Sequence, residues 1–165
     1  MEKVEECFAD CFPDNILSRV KELGATRTNK ELYRIGLNGE NNEQAWASSY
    51  EDTVVYGTRP VSNKYNNDME TYKRDADICE YSTSTFETVR EAHHVYFRSP
   101  GLCKYYKNGV LLHADIIEAD GYLKKDNPSK DHVNLWKFKY AKPWDRAKKV
   151  RWEERESKGE KNDLV

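Results

Sequence analysis

Two short stretches hold the residue types from which an anion site can be built. In DTVVYGTRP (52–60), Arg59 follows Gly57 and Thr58. A guanidinium at a strand end can grip phosphate oxygens in bidentate fashion, while a glycine lets backbone come close to a ligand. In EYSTSTFET (80–88), Ser82, Thr83, Ser84 and Thr85 crowd four hydroxyls ahead of a helically patterned run. The free N–H groups and dipole of a helix start favour negative charge. Arginine and hydroxyls together predict a pyrophosphate site where a strand passes into a helix. Their plainer uses are a surface arginine, helix capping and edge-strand residues.

Other chemistries find less support. His93 and His94 are adjacent, so on a helix they diverge by about 100 degrees and do not face one metal. His113 and His132 stand alone, and no second ligand lies at a metal-like spacing, so no metal is expected. Cys7 and Cys11 are four apart beside Phe8 and Phe12, a pattern of apolar packing. The chain starts MEKVEECFADCF, acidic where a secretory leader is basic, and no apolar run approaches a membrane span. The expectation is a cytoplasmic protein, or a nuclear one, with no membrane partner and with Cys7, Cys11, Cys79 and Cys103 as reduced thiols. Residues 1–60 hold 7 Lys/Arg against 11 Asp/Glu, residues 61–140 balance at 12 each, and residues 141–165 hold 8 against 6. That distribution excludes the strong basic excess of a dedicated duplex binder and leaves room for local basic patches.

The elements that must position these residues follow from period and punctuation. Val4, Cys7, Phe8, Cys11 and Phe12 recur at helical spacing up to Pro13. Asp14 or Asn15 caps a second helix with Ile16, Val20 and Leu23 inward and Gly24 as its stop. Thr28 and Glu31, at capping-box spacing, predict a third helix over 28–36. A polar loop (37–50) anchored by Trp46 precedes a strand in DTVVYGTRP, and residues 61–77 read as loop or short helix. Ser84 and Glu87 then open a helix through Val89, Ala92, Tyr96 and Phe97, ended by Pro100 and Gly101. Strands follow in VLLHADI and VNLWKFKY, and a charged helix and tail close the chain. The predicted class is α+β: short N-terminal helices, then a mostly antiparallel sheet with one inserted helix. Within a single domain the segments are a helical 1–36, a core over 37–143 and a charged 144–165.

In order, VVYGTR, EYSTST, ETVREAHHVYF and GVLLHADI resemble the ADP-ribosyltransferase fold family across residues 53–140. That family shows a strand with Arg or His beside Gly, then a strand with a Ser-Thr-Ser-like turn, a helix and a further strand. The resemblance implies NAD as substrate and transfer of ADP-ribose to a protein or nucleic-acid acceptor. It puts Arg59 on the pyrophosphate with Gly57 and Thr58 beside it. Ser84, with Ser82 near, would steady the ribose or nicotinamide, and Tyr56 or Tyr81 would stack. The family's late glutamate, which stabilises the oxocarbenium ion as nicotinamide leaves, is matched by Glu118, earlier than the family pattern places it; SKDHVNLW holds no Glu.

A reading from another class starts from KYYKNGVLLHADIIEADGYLKK and NLWKFKY, which resemble the strand pairs of SRA-like and PUA-type modified-base readers. There Tyr105, Tyr106, Tyr122 and Trp136 would stack a base, and Lys104, Lys107, Lys124 and Lys125 would hold phosphates. That reading requires a strand over 93–98, whereas the transferase reading requires a helix. A third possibility is a protein-interaction module acting through the acidic N-terminal helices.

Overall fold

The computed structural model describes residues 5–98, 101–127 and 130–152. Its four α-helices and six-stranded antiparallel sheet make an α+β fold. The helices are α1 (Ile16–Glu22), α2 (Ser49–Val54), α3 (Met69–Asp75) and α4 (Val89–Phe97). The strands are β1 (Lys30–Gly36), β2 (Thr83–Phe86), β3 (Val110–Ile116), β4 (Gly121–Lys125), β5 (His132–Lys137) and β6 (Ala147–Val150). They lie in the order β4-β5-β2-β1-β3-β6.

Local chemistry accounts for most of these elements. α1 buries Ile16 and Val20, one helical turn apart, and Gly24 follows at φ +86. α2 begins with a capping box: Ser48 Oγ accepts from the Glu51 N–H (3.1 Å), and the Glu51 carboxylate accepts from the Ser48 N–H (2.9 Å). α4 starts at Thr88, whose Oγ1 accepts from the Glu91 N–H (3.1 Å). The cap is therefore four residues later than the expected Ser84, because Thr83–Phe86 pair with β5 along their whole length. Residues 89–97 are helical, the arrangement the transferase reading requires and the base-reader reading does not.

Four expectations are corrected. Residues 28–36 are not a helix: Lys30–Gly36 form a central strand paired with β3 at seven positions. Of the segment 1–36, residues Lys30–Gly36 therefore lie inside the sheet. DTVVYGTRP is not a strand but the end of α2 and the turn after it. Residues 5–12 contain no helix. After a short turn at Pro143–Asp145 the chain adds β6 to the sheet edge rather than a helix, and the tail beyond Trp152 lies outside the described residues.

The core has three parts. Leu32, Trp46, Leu112, Ile116, Val133 and Leu135 pack on one side of the sheet. Ile35, Phe86, Val89, Ala92, Tyr96 and Leu111 join the other side to α4. An aromatic cluster including Phe12, Tyr50, Tyr72, Tyr81 and Trp136 seats α1, α2 and α3. Between β1 and β2 only Tyr33 and Phe86 stand in register, whereas β1 and β3 match over their full length. The sheet is thus splayed along one seam, and the candidate site lies there.

Candidate functional site

Arg34, in the middle of β1, is 7% exposed. Leu32 and Arg34 share a side of the strand by its two-residue period, and that side faces the Trp46 segment. The Arg34 guanidinium donates to three carbonyls: Nε to Ala45 (2.8 Å), one terminal nitrogen to Ser84 (2.9 Å) and the other to Ala47 (3.3 Å). The bond to Ser84 crosses the seam between β1 and β2 where ladder bonds are missing. Of the five guanidinium N–H groups, three are used and two are left for a ligand. No carboxylate makes an ion pair with Arg34 among the described residues. A buried cation in that state favours an anion beside it.

Arg34 lines an open cavity of about 510 Å³, together with Ser84, Asp52, Arg59, Tyr105 and Tyr106. A smaller space of about 100 Å³ adjoins it between Arg34, Gln44, Asp52 and Tyr106. The larger volume falls in the range of small-molecule and cofactor sites. α2 supplies Asp52 and the segment after it supplies Thr58, Arg59 and Pro60. That segment is tied back by the Thr58 N–H donating to the Asp52 carbonyl (2.9 Å). On the opposite wall the Tyr106 hydroxyl donates to the Thr58 carbonyl (3.3 Å). Arg59 donates no hydrogen bond among the described residues, so its fork is open to the cavity.

The electrostatics are those of a partly buried, net positive site. Burial pushes the Asp52 carboxyl up to about 6, against the pull of Arg34 and Arg59. Burial lowers Arg34 to about 10; Asp52 counteracts this and Arg59 adds to it. At neutral pH two guanidinium charges therefore face one carboxylate, which leaves one positive charge for a ligand to neutralise.

The structure brings Arg59, Thr58 and Ser84 to the same cavity, although Arg59 follows a helix rather than a strand. Gly57 has φ +66, and a Cβ there would meet no atom within 4 Å, so its glycine serves the turn and not a close approach of backbone. Ser82 is buried, its hydroxyl 2.8 Å from both the Cys79 carbonyl and Asn134 Oδ1, and it does not line the cavity. Tyr81 lies inside the aromatic core at 2% exposure. Tyr56 is more than a third exposed but stands outside the cavity lining. Glu118 is an exposed turn residue beyond Ile116, with its N–H bonded to Asn29 Oδ1. Because Lys30 pairs with Ile116 and Gly36 with Val110, Glu118 lies at the end of β1 opposite the cavity. No group of three or more His, Cys, Asp or Glu is arranged to hold a metal among the described residues.

Sequence reasoning missed Arg34 and Asp52 as site residues, and named Tyr105 and Tyr106 only for the base-reader reading. Arg34 lay in a segment read as helix. Asp52 lay in a segment read as strand, although Ser48 and Glu51 already stood at capping-box spacing. Compared with known proteins, the chain matches no family model, no curated protein and no solved structure.

Proposed function

We propose that the seam between β1 and β2 is a nucleotide site of ADP-ribosyltransferase type, which binds NAD and transfers ADP-ribose to a macromolecular acceptor. One observation carries this reading: the buried Arg34 joins β1 to the Ser84 carbonyl at the floor of a cavity that also holds the unengaged Arg59. In the family pattern a strand arginine near a glycine precedes a Ser-Thr-Ser-like strand and a helix. LYRIG (32–36) fits that place better than VVYGTR, since β1 and β2 are sheet neighbours and β2 leads into α4. Arg34 then orients the nicotinamide-side ribose with Ser84, and Arg59 holds the pyrophosphate through its open fork.

Among the described residues Asp52 is the one carboxylate lining the cavity, and we assign it the place that Glu118 fails to reach. As the bond from ribose to nicotinamide breaks, its electron pair leaves with the ring nitrogen and positive charge gathers on the sugar. An ionised Asp52 stabilises that charge best while water is excluded. The location proposed with this reading is the cytoplasm or the nucleus, compartments that keep cysteine thiols reduced. No helix among the described residues is long and apolar enough to cross a membrane.

The test is calorimetric titration of NAD, with nicotinamide release followed in parallel. Arg59→Ala is expected to weaken NAD binding about ten-fold or more. Asp52→Asn is expected to keep binding and slow nicotinamide release about 100-fold. Absence of heat at millimolar NAD would reject the reading.

A further inference from the structure

We propose that the acceptor is a single-stranded nucleic acid, held at the cavity mouth by Tyr105 and the cations around it; this inference rests on the transferase reading of the cavity. Tyr105 is 79% exposed, the most exposed large hydrophobic residue among those described, and it lines the cavity. The backbone that carries it is held by hydrogen bonds. The Tyr105 and Tyr106 N–H groups both donate to the Leu102 carbonyl, at 3.0 and 2.9 Å. The Tyr96 hydroxyl donates to the Tyr106 carbonyl and accepts from the Gly109 N–H. Tyr106 is turned inward onto Thr58, so the adjacent ring is left as an open face at the rim.

The chain segment that carries that ring has charge of one sign, and Asp52 is the one carboxylate among the described residues lining the cavity it borders. From Ala92 to Ala114 the sequence contains Arg98, Lys104 and Lys107 and no Asp or Glu. All three cations are exposed, and none makes an ion pair among the described residues. Elsewhere the chain pairs many of its cations, as in Lys30–Glu87, Arg27–Glu6 and Lys139–Asp10. An exposed aromatic ring on an anchored backbone, flanked by cations without ion pairs, is the combination that binds single strands, a base on the ring and phosphates on the cations. A duplex buries its base faces and cannot use the ring. An acidic peptide would use the cations but gains nothing comparable from an isolated tyrosine. In the reaction a nucleophilic base nitrogen or sugar oxygen attacks the anomeric carbon of the ribose. The bond to nicotinamide breaks, nicotinamide leaves neutral with the electron pair, and the acceptor's proton passes to water.

Labelled single-stranded DNA and RNA of one mixed sequence, the corresponding duplex and a glutamate-rich peptide are titrated with the whole protein by fluorescence anisotropy, without NAD. The single strands are expected to bind, with log affinity falling against log salt at a slope of about −2 for three phosphate contacts. Tyr105→Ala is expected to weaken this about ten-fold without changing the slope. Lys104→Glu with Lys107→Glu is expected to reduce the slope to about −0.7 while leaving NAD affinity in calorimetry unchanged. The DNA and RNA arms decide which strand is preferred. The proposal is overturned if the single strands fail to bind, if Tyr105→Ala binds them as the wild type does, or if the peptide binds more tightly. Heat from NAD without oligonucleotide binding would overturn the acceptor and keep the cavity reading. Oligonucleotide binding without heat from NAD would overturn both the transferase reading and the acceptor role.

Discussion

Arg34 carries two burdens that pull on its chemistry in different directions. Structurally it satisfies the carbonyls of Ala45, Ala47 and Ser84, and thereby joins the Trp46 segment to two strands. Functionally it keeps a desolvated charge at the floor of a cavity. A lysine in its place supplies the charge but not the planar fork that reaches three acceptors at once. Arg34→Lys is therefore expected to lower stability by about 2–4 kcal/mol in urea unfolding, because buried carbonyls lose their donors. Arg59→Ala, at the rim with no hydrogen bond to lose, should stay within about 0.5 kcal/mol of the wild type. Equal stability of the two variants would mean that the three bonds of Arg34 contribute nothing net.

At the level of elements, the hairpin of β4 and β5 depends on one close approach. Gly121 opens β4 with φ +149, and a Cβ there would stand 2.1 Å from the Trp136 carbonyl oxygen. The preceding turn is clamped by Asp120, 1% exposed, whose two oxygens accept from Arg146 at 2.6 and 2.9 Å and whose Oδ2 also accepts from the Ile117 N–H. The turn therefore cannot move away to make room. Gly121→Ala is expected to cost about 2–4 kcal/mol and to shift the amide resonances of β4 and β5 while those of β1 and β3 hold. A variant as stable as the wild type would show the hairpin free to re-register. The same scale explains the cavity: β2 is fully paired with β5 but meets β1 at one registered position, so the sheet parts at the place where α2 and the Tyr105–Tyr106 segment can wall it.

Over the whole molecule the response to pH is a contest between groups shifted in opposite directions. Glu87, hydrogen-bonded to Lys30 and also to Lys125, is held below its ordinary value despite partial burial, so it contributes stability that is lost on acidification. Asp52 acts the other way. Its folded value of about 6 exceeds the ordinary 3.8, so the native state holds the proton more tightly between those values. Its contribution therefore weakens stability as pH rises from about 4 to about 6. Asp52→Asn removes only this part of the profile. The stability of the variant relative to the wild type is expected to rise by up to about 3 kcal/mol between pH 4 and pH 7, measured by urea unfolding at each pH. A difference that stays flat across that range would place the Asp52 carboxyl at its ordinary value.

Local chemistry in the sequence was enough to determine α1, the body of α4, β3 and β5, because in each a period agrees with its punctuation: Ile16 and Val20 before Gly24, Val89, Ala92 and Tyr96 before Gly101, alternation through Val110–Ile116 and His132–Lys137. It also determined the α+β class and marked Arg59 and Ser84, which meet in one cavity. β1 and α2 were misread for opposite reasons. A central strand buried on both sides has no clean alternation, so KELYRIG passes for a helix turn. A six-residue helix that ends in Thr53 and Val54 and runs on into Val55 and Tyr56 passes for a strand. What the tertiary structure alone decided is that Arg34 crosses a seam to the Ser84 carbonyl, 50 residues away. That contact depends on which strands become neighbours, and neighbourhood is set by burying the whole sheet, not by any local run of residues.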